Sequence, residues 1–307
     1  MERYLVLVSN RRSQFFYSIT NGKSYCVYDI YKQMNLFERC LRKFLLVLHL
    51  SISYFYGDWR YDKTFFSKII IEDGTLDSAI FRRLRTMHPQ AQLIYWFRNS
   101  LNAIDYYKSR EMHIAHAQLC DRILSFDRKD ADLMGYEYVE NCYSLDSTLD
   151  LSVNNKYDII YLGSDKSRFN QIMNVVTYSN EIGLNNFIYI YSKTRRPSEI
   201  INNHFMPYRD YLLQMIQSKA ILDIVDVGYQ TGYSLRFLEA LFYHKKLITN
   251  MEMIKDEPFY NPNNILVVDT NDINACKAIS SFLKLPYKEV DETYIKRFDF
   301  STWLNQF

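Results

Sequence analysis

A field of like charge is missing from this chain of 307 residues: 37 Lys and Arg stand against 35 Asp and Glu, a formal net charge of +2. That excludes the overall basic surface of a protein held to nucleic acid by many phosphate contacts, so no nucleic-acid partner is expected, although a local basic patch stays open. Cysteine is scarce as well. Cys26, Cys40, Cys120, Cys142 and Cys276 are odd in number and lie far apart, which excludes a disulfide framework and any zinc-ligand spacing and suits reduced thiols in the cytoplasm. His113 and His116 share an expected helix face but lack an acidic ligand pair beside them, so no metal is expected. The opening MERYLVLVSN lacks the basic, apolar and small-residue zones of a secretory signal and reads as a strand. NLFERCLRKFLLVLHLSISYFYGDW, the most membrane-like stretch, is too short and too interrupted in its apolar part to span a bilayer. Tandem repeats and low-complexity linkers are absent.

What is present describes a folded protein: 48% hydrophobic and 23% charged residues, with 27 Tyr and 20 Phe available for core packing, sugar stacking or a membrane surface. The length suits two domains, and two domains imply a cleft as the ligand site. Apolar runs of strand length alternate with helical patterns. Strands are expected at 3–9, 68–72, 92–97 and 122–126, with a helix between the second and third and another over about 103–119. The pattern restarts at 157–162 and continues through 187–191, 220–224, 246–249 and 264–268. Such β-α-β alternation predicts parallel sheets covered by helices on both faces. The expected division is 1–152 for a first α/β domain, 153–285 for a second, and 286–307 for a helix that crosses back onto the first. Lys32, Arg39, Arg42 and Lys43 surround the membrane-like stretch, so it reads either as a helix resting on an anionic bilayer or as one packed in its domain.

The chemistry concentrates at two turns of the second domain. In YLGSDKSRF a strand ends at Gly163 and passes through Ser164 and Ser167 into a helix. Its backbone N–H groups suit an anion, and Lys166 and Arg168 add positive charge, so a diphosphate fits. On pattern alone, a surface turn with two solvated cations is the preferred account. In DVGYQTGYSLRFLEALFYHKKLITN, Gly228 and Gly232 permit tight backbone geometry. Thr231 or Ser234 caps a helix whose first part carries Arg236, for phosphate, and Glu239, whose carboxylate can accept both hydroxyls of a ribose. The competing reading has a capped helix with both charges in water. Glu72 and Asp73 end a strand, where either carboxylate suits a general base and Asp73 equally suits a helix cap. The phosphate-binding loop with its lysine, the GxGxxG fingerprint and a recognisable Ser/His/Asp set are all missing, which removes support for nicotinamide chemistry and nucleophilic hydrolysis. The D-x-D at Asp130 to Asp132 reads as helical or loop surface.

These stretches, together with SFDRKDADLMGYEYVENCY, FYNPNNILVV and the terminal YIKRFDFSTWL, resemble the bacterial cell-surface polysaccharide glycosyltransferases of the GT-B type, which build lipopolysaccharide and capsule. The resemblance covers most of the chain and is most distinctive over 218–250 and FYNPNNI. It implies two Rossmann-like domains with a cleft and a carboxy-terminal crossover, a nucleotide-sugar donor in the second domain and a glycan acceptor, lipid-linked, in the first. It places Gly163, Lys166 and Arg168 by the donor phosphates, Gln230, Thr231, Gly232, Ser234 and Arg236 around phosphate and sugar, and Glu239 on the ribose, with no cofactor or metal required. The family's retaining members carry a pair of glutamates here. Glu239 matches the later one and Thr231 stands at the earlier, so inversion and retention both stay open, with Asp73 or Glu72 the base of an inverting course. The implied location is the cytoplasm, peripheral to the inner face of the plasma membrane. A donor-binding scaffold that has lost transfer activity is the alternative.

Overall fold

The structure, a computed structural model, describes residues 2–102, 110–165, 168–272 and 275–307. It divides into two compact units, Met1–Glu140 and Asn141–Phe307. In the first, the elements run β1 (Tyr4–Val8), β2 (Tyr25–Asp29), α1 (Leu36–Val47), β3 (Lys68–Glu72), α2 (Ala79–Met87), β4 (Gln92–Phe97), α3 (Arg110–Ala117), β5 (Arg122–Ser125), α4 (Arg128–Met134) and β6 (Glu137–Tyr138). The strands form a six-stranded sheet in the order β2-β1-β3-β4-β5-β6, every pair parallel. YLVLV and KIIIE are apolar at successive positions, not alternate ones, because a parallel sheet covered on both faces buries both. Leu5, Leu7, Ile69, Ile71, Leu93 and Tyr95 form the centre of one buried cluster.

In the second unit the order is β7 (Tyr157–Ser164), α5 (Phe169–Glu181), β8 (Asn186–Tyr191), β9 (Ile201–Asn202), α6 (Tyr208–Met215), β10 (Ser218–Asp223), α7 (Leu235–Phe242), β11 (Lys246–Thr249), β12 (Ile265–Val267), α8 (Ala278–Lys284), α9 (Glu292–Lys296) and α10 (Phe300–Leu304). Its sheet is again six-stranded and parallel, ordered β12-β11-β10-β7-β8-β9. Two Rossmann-like parallel sheets are the architecture expected of the GT-B type. In each, the strand order reverses at one place, between β1 and β3 and between β7 and β10, and ligands of such sheets bind beyond the carboxyl ends of the strands at that reversal.

Three strands lie outside the sequence expectation, β2, β6 and β9. The last two are only two residues long and exist through pairing with a neighbour, while YCVYD of β2 carries too few branched apolar residues to stand out from the polar loop before it. Asp130 is not on the surface: it is buried and accepts the Leu101 N–H, whereas Asp132 is exposed, so the two carboxylates of D-x-D do not act together. Residues 141–155 belong to the second unit. There Asn141 donates to the Tyr233 carbonyl, and the Tyr143 ring packs against Phe242 and Tyr243. The tail also has contacts inside this unit. The Tyr143 N–H donates to the Phe298 carbonyl and the Phe300 N–H to the Tyr143 carbonyl, on either side of Asp299, and Phe298 packs on Tyr233, Phe237 and Phe259.

Candidate functional site

The second unit's reversal point brings together residues from four places in the chain. Arg168 follows β7 and is buried. Its Nη1 donates to the Ile224 carbonyl just past β10 at 2.7 Å, and its Nη2 to the Ser164 carbonyl at the end of β7 at 3.4 Å. Arg236, in the first turn of α7, donates from Nε to Asp223 Oδ1 at 3.0 Å and from Nη1 to the Leu162 carbonyl at 3.0 Å. A Cβ on Gly163 would stand 2.7 Å from Arg236 Nη1 and 2.8 Å from the Tyr161 hydroxyl, so the guanidinium occupies the space that a larger residue would fill. Burial holds Arg168 below its ordinary value, and the charge of Arg236 works in the same direction. Two guanidiniums thus converge on the carboxyl ends of β7 and β10, and the buried carboxylate of Asp223 pairs with Arg236 between strand and helix.

Asp223 also accepts the Ser234 hydroxyl at 2.7 Å, and Ser234 Oγ in turn accepts the Phe237 N–H at 3.2 Å, which makes Ser234 the cap of α7. Of the two expected caps, Thr231 is half-buried in the preceding turn and Ser234 performs the role. Gln230 braces that turn: its N–H donates to the Asp226 carbonyl and its side chain to the Gly232 carbonyl. Lys166 lies outside the described residues.

Glu239 is brought near Arg236 by helical spacing but turned inward. Its oxygens accept the Tyr208 and Tyr211 hydroxyls, each at 2.7 Å, and the residue is 1% exposed. Burial, against the opposing pull of those hydroxyls and of Arg236, raises its carboxyl to about 7. A ribose reaches Glu239 only if a tyrosine yields its place.

At the first unit's reversal point the two expected carboxylates have separate surroundings. Glu72 is buried: Oε2 accepts the Ser9 N–H and Oε1 accepts Arg98 Nη1 at 2.8 Å. Arg98 is itself enclosed by Phe16 and Trp96, with its guanidinium 5.0 Å and 4.8 Å from the ring centres, and bonds Gln14. Glu72 is therefore committed to a buried ion pair. Asp73 is half-buried and accepts from the Asn99 N–H at 3.1 Å and from Asn99 Nδ2 at 3.2 Å. Burial first, then repulsion from Glu72, raises its carboxyl to about 7, so it can take up or release a proton near neutrality. Gly74 is required next to it, since a Cβ there would stand 2.4 Å from Ser9 Cβ.

His113 and His116 are buried on α3. His113 bonds the Tyr95 hydroxyl at 2.8 Å, and burial lowers it to about 4. Among the described residues no group of three His, Cys, Asp or Glu side chains is placed to hold a metal ion. Sequence reasoning missed Asp223, Arg98, Tyr208 and Tyr211. Asp223 and Arg98 had a signal, a charged residue at or just beyond the carboxyl end of an apolar strand. The tyrosines had none, because their partner is distant in sequence.

No known protein family's sequence profile matches the chain, and no curated protein sequence matches it. Solved structures do. An α-glucosyltransferase in complex with UDP and a 13-mer DNA containing a central A:G mismatch is similar with a TM-score of 0.54 at 10% identity, covering 99% of this chain and 94% of the other. The sucrose-phosphate synthase of Thermosynechococcus elongatus is similar with a TM-score of 0.52 at 11% identity, covering 99% and 97%. What these proteins share with this chain is the GT-B-like fold.

Proposed function

We propose that this chain is a nucleotide-sugar-dependent glycosyltransferase that adds a sugar to a hydroxyl of a growing, lipid-linked surface glycan. The observation that carries the reading is the pairing of Arg168 and Arg236 at the β7/β10 reversal of a GT-B-like fold. A diphosphate leaving group gains negative charge as its bond to the anomeric carbon breaks, and preorganised guanidiniums in a water-poor setting stabilise that charge without a metal. Gly163, Lys166 and the turn of Gln230, Thr231, Gly232 and Ser234 surround the donor in this reading, and Glu239 meets the ribose after a tyrosine gives way.

In the same reading the acceptor hydroxyl attacks the anomeric carbon and passes its proton to Asp73, whose raised value suits a general base. Glu72 assists by its charge, which keeps Asp73 basic. A base of this kind goes with inversion of the anomeric centre. The C–H faces of a glycan's sugar rings suit tyrosine faces, and the exposed apolar face of α1 suits a lipid-linked acceptor held at an anionic membrane.

Calorimetric titration with UDP, GDP, CMP and dTDP sugars tests the donor half. Selective binding by the wild type, weakened about tenfold or more in Arg168→Lys and Arg236→Lys, is the expected result. Binding to none of them overturns the reading. Binding without transfer to any acceptor identifies instead a donor-binding scaffold.

A further inference from the structure

The first unit holds a second cation cluster that the donor chemistry leaves unused. A cavity of ≈ 470 Å³ opens at the carboxyl ends of β1, β2 and β3, floored by Ser9 and Gly74 and walled by Arg12, Lys32, Arg39 and Arg42. Its carboxylate, Asp29, is engaged: it accepts the Arg11 N–H at 2.6 Å. Lys32 is paired with Glu38 at 2.7 Å. Arg12 and Arg39 have no ion pair among the described residues, and Arg42 Nε is buried without a hydrogen-bond partner while its guanidinium lies 4.9 Å from the centre of the Tyr31 ring. Burial lowers Arg42, and neighbouring Arg39 adds to the effect. An excess of positive charge around a polar hollow is the environment an anion relieves.

The wall that supplies Arg39 and Arg42 is α1, and its outer side is apolar. Leu36, Phe37, Phe44 and Val47 are 78%, 74%, 59% and 75% exposed, Leu41 and Leu48 continue the same arc of the helix, and no residue of α1 is buried. A contiguous face of this kind marks a surface that meets another phase or partner. Lys43 and Arg39 border the arc, the disposition of a helix that lies in the interface of an anionic bilayer. A duplex nucleic acid would satisfy the cations and leave these rings in water, whereas a phospholipid satisfies both at once.

We propose that the cavity between α1 and the ends of β1, β2 and β3 is a binding site for the phosphate of a membrane lipid headgroup, gripped by Arg12, Arg39 and Arg42 while the apolar face of α1 enters the bilayer. The proposal deepens the acceptor half of the proposed function and rests on it for the site's purpose. Its test reads vesicle partition, and pyrophosphate binding is measured in an Arg168→Lys/Arg236→Lys background in which the donor turns are weakened, so either proposal can fail while the other stands.

The experiment is flotation of the full chain with vesicles of phosphatidylcholine alone and of phosphatidylcholine containing phosphatidic acid, with and without inorganic pyrophosphate. The wild type binds the acidic vesicles and pyrophosphate competes. Arg12→Gln and Arg42→Gln each lose about fivefold or more in partition, and Lys43→Gln, outside the cavity, loses less. Phe44→Ser loses vesicle binding and keeps pyrophosphate binding. Equal losses in Arg42→Gln and Lys43→Gln, or a failure of pyrophosphate to compete, overturn the site. Loss of pyrophosphate binding in the arginine variants with unchanged partition assigns the cavity to a free phosphate compound and overturns the lipid source. Tighter binding to duplex DNA than to acidic vesicles, undiminished in Phe44→Ser, overturns it as well. So does a dimer, seen by sedimentation, that Phe44→Ser dissolves without changing partition.

Discussion

Glu239 joins a sequence-level expectation to a tertiary surprise. A carboxyl at that position was expected to face a ribose, and its nearest partners are the hydroxyls of Tyr208 and Tyr211. Because its folded value is raised to about 7 from 4.5, the native state holds a proton that the unfolded chain has released between those two values. Stability from this group is therefore present at low pH and lost as the pH climbs through about 7, a difference on the order of 3 kcal/mol. Urea denaturation at pH 5 and pH 8 is expected to show a steeper fall for the wild type than for Glu239→Gln, which has no proton to lose. Identical slopes would mean that Glu239 is ionised throughout. Asp73 contributes in the same direction to both proteins and cancels in the comparison.

At the scale of elements, α7 illustrates how a short helix is placed accurately enough to aim a guanidinium. Its cap, Ser234, bonds the helix's own Phe237 N–H and the Asp223 carboxylate at the end of β10, so helix start and strand end share one hydroxyl. Ser234→Ala is expected to cost about 1–2 kcal/mol, from the lost cap and a weakened buried carboxylate, and to weaken donor binding because Arg236 loses its fixed partner geometry. A loss of stability with unchanged donor affinity would separate the cap from the site. The capping role was legible in SLRF following a Gly-bearing turn. The second role was not, since the carboxylate that shares the hydroxyl belongs to another element. Helix α1 presents the reverse case. Its apolar content was readable, but the cap at Asn35, with Glu38 returning the bond, went unread, and which side faced outward depended on how Leu45 and Leu46 met the core.

For the whole molecule, the two proposed anion sites belong to different units, one at the β7/β10 reversal and one at the β1/β3 reversal. Arg168→Lys is accordingly expected to weaken donor binding with vesicle partition unchanged, and Phe44→Ser to do the opposite; calorimetry and flotation on the same preparations check both, and a parallel loss in either variant would contradict the separation. No helix among the described residues is long and apolar enough to cross a membrane, so contact with a bilayer through α1 would be at its surface. What the sequence alone determined were the parallel α/β sheets and most strand positions, because continuous apolar runs of strand length separated by capped amphipathic stretches have one efficient burial, between helices on two faces. It also marked Arg168 and Arg236 as cations beside turns. Only the tertiary structure decided which charges are spent on one another. Arg98 holds Glu72, Asp223 holds Arg236, tyrosines hold Glu239, and Arg12, Arg39 and Arg42 are left around an open hollow. Pairing depends on which strand ends become neighbours, and that is set by sheet order across long stretches of chain, where local pattern carries no information.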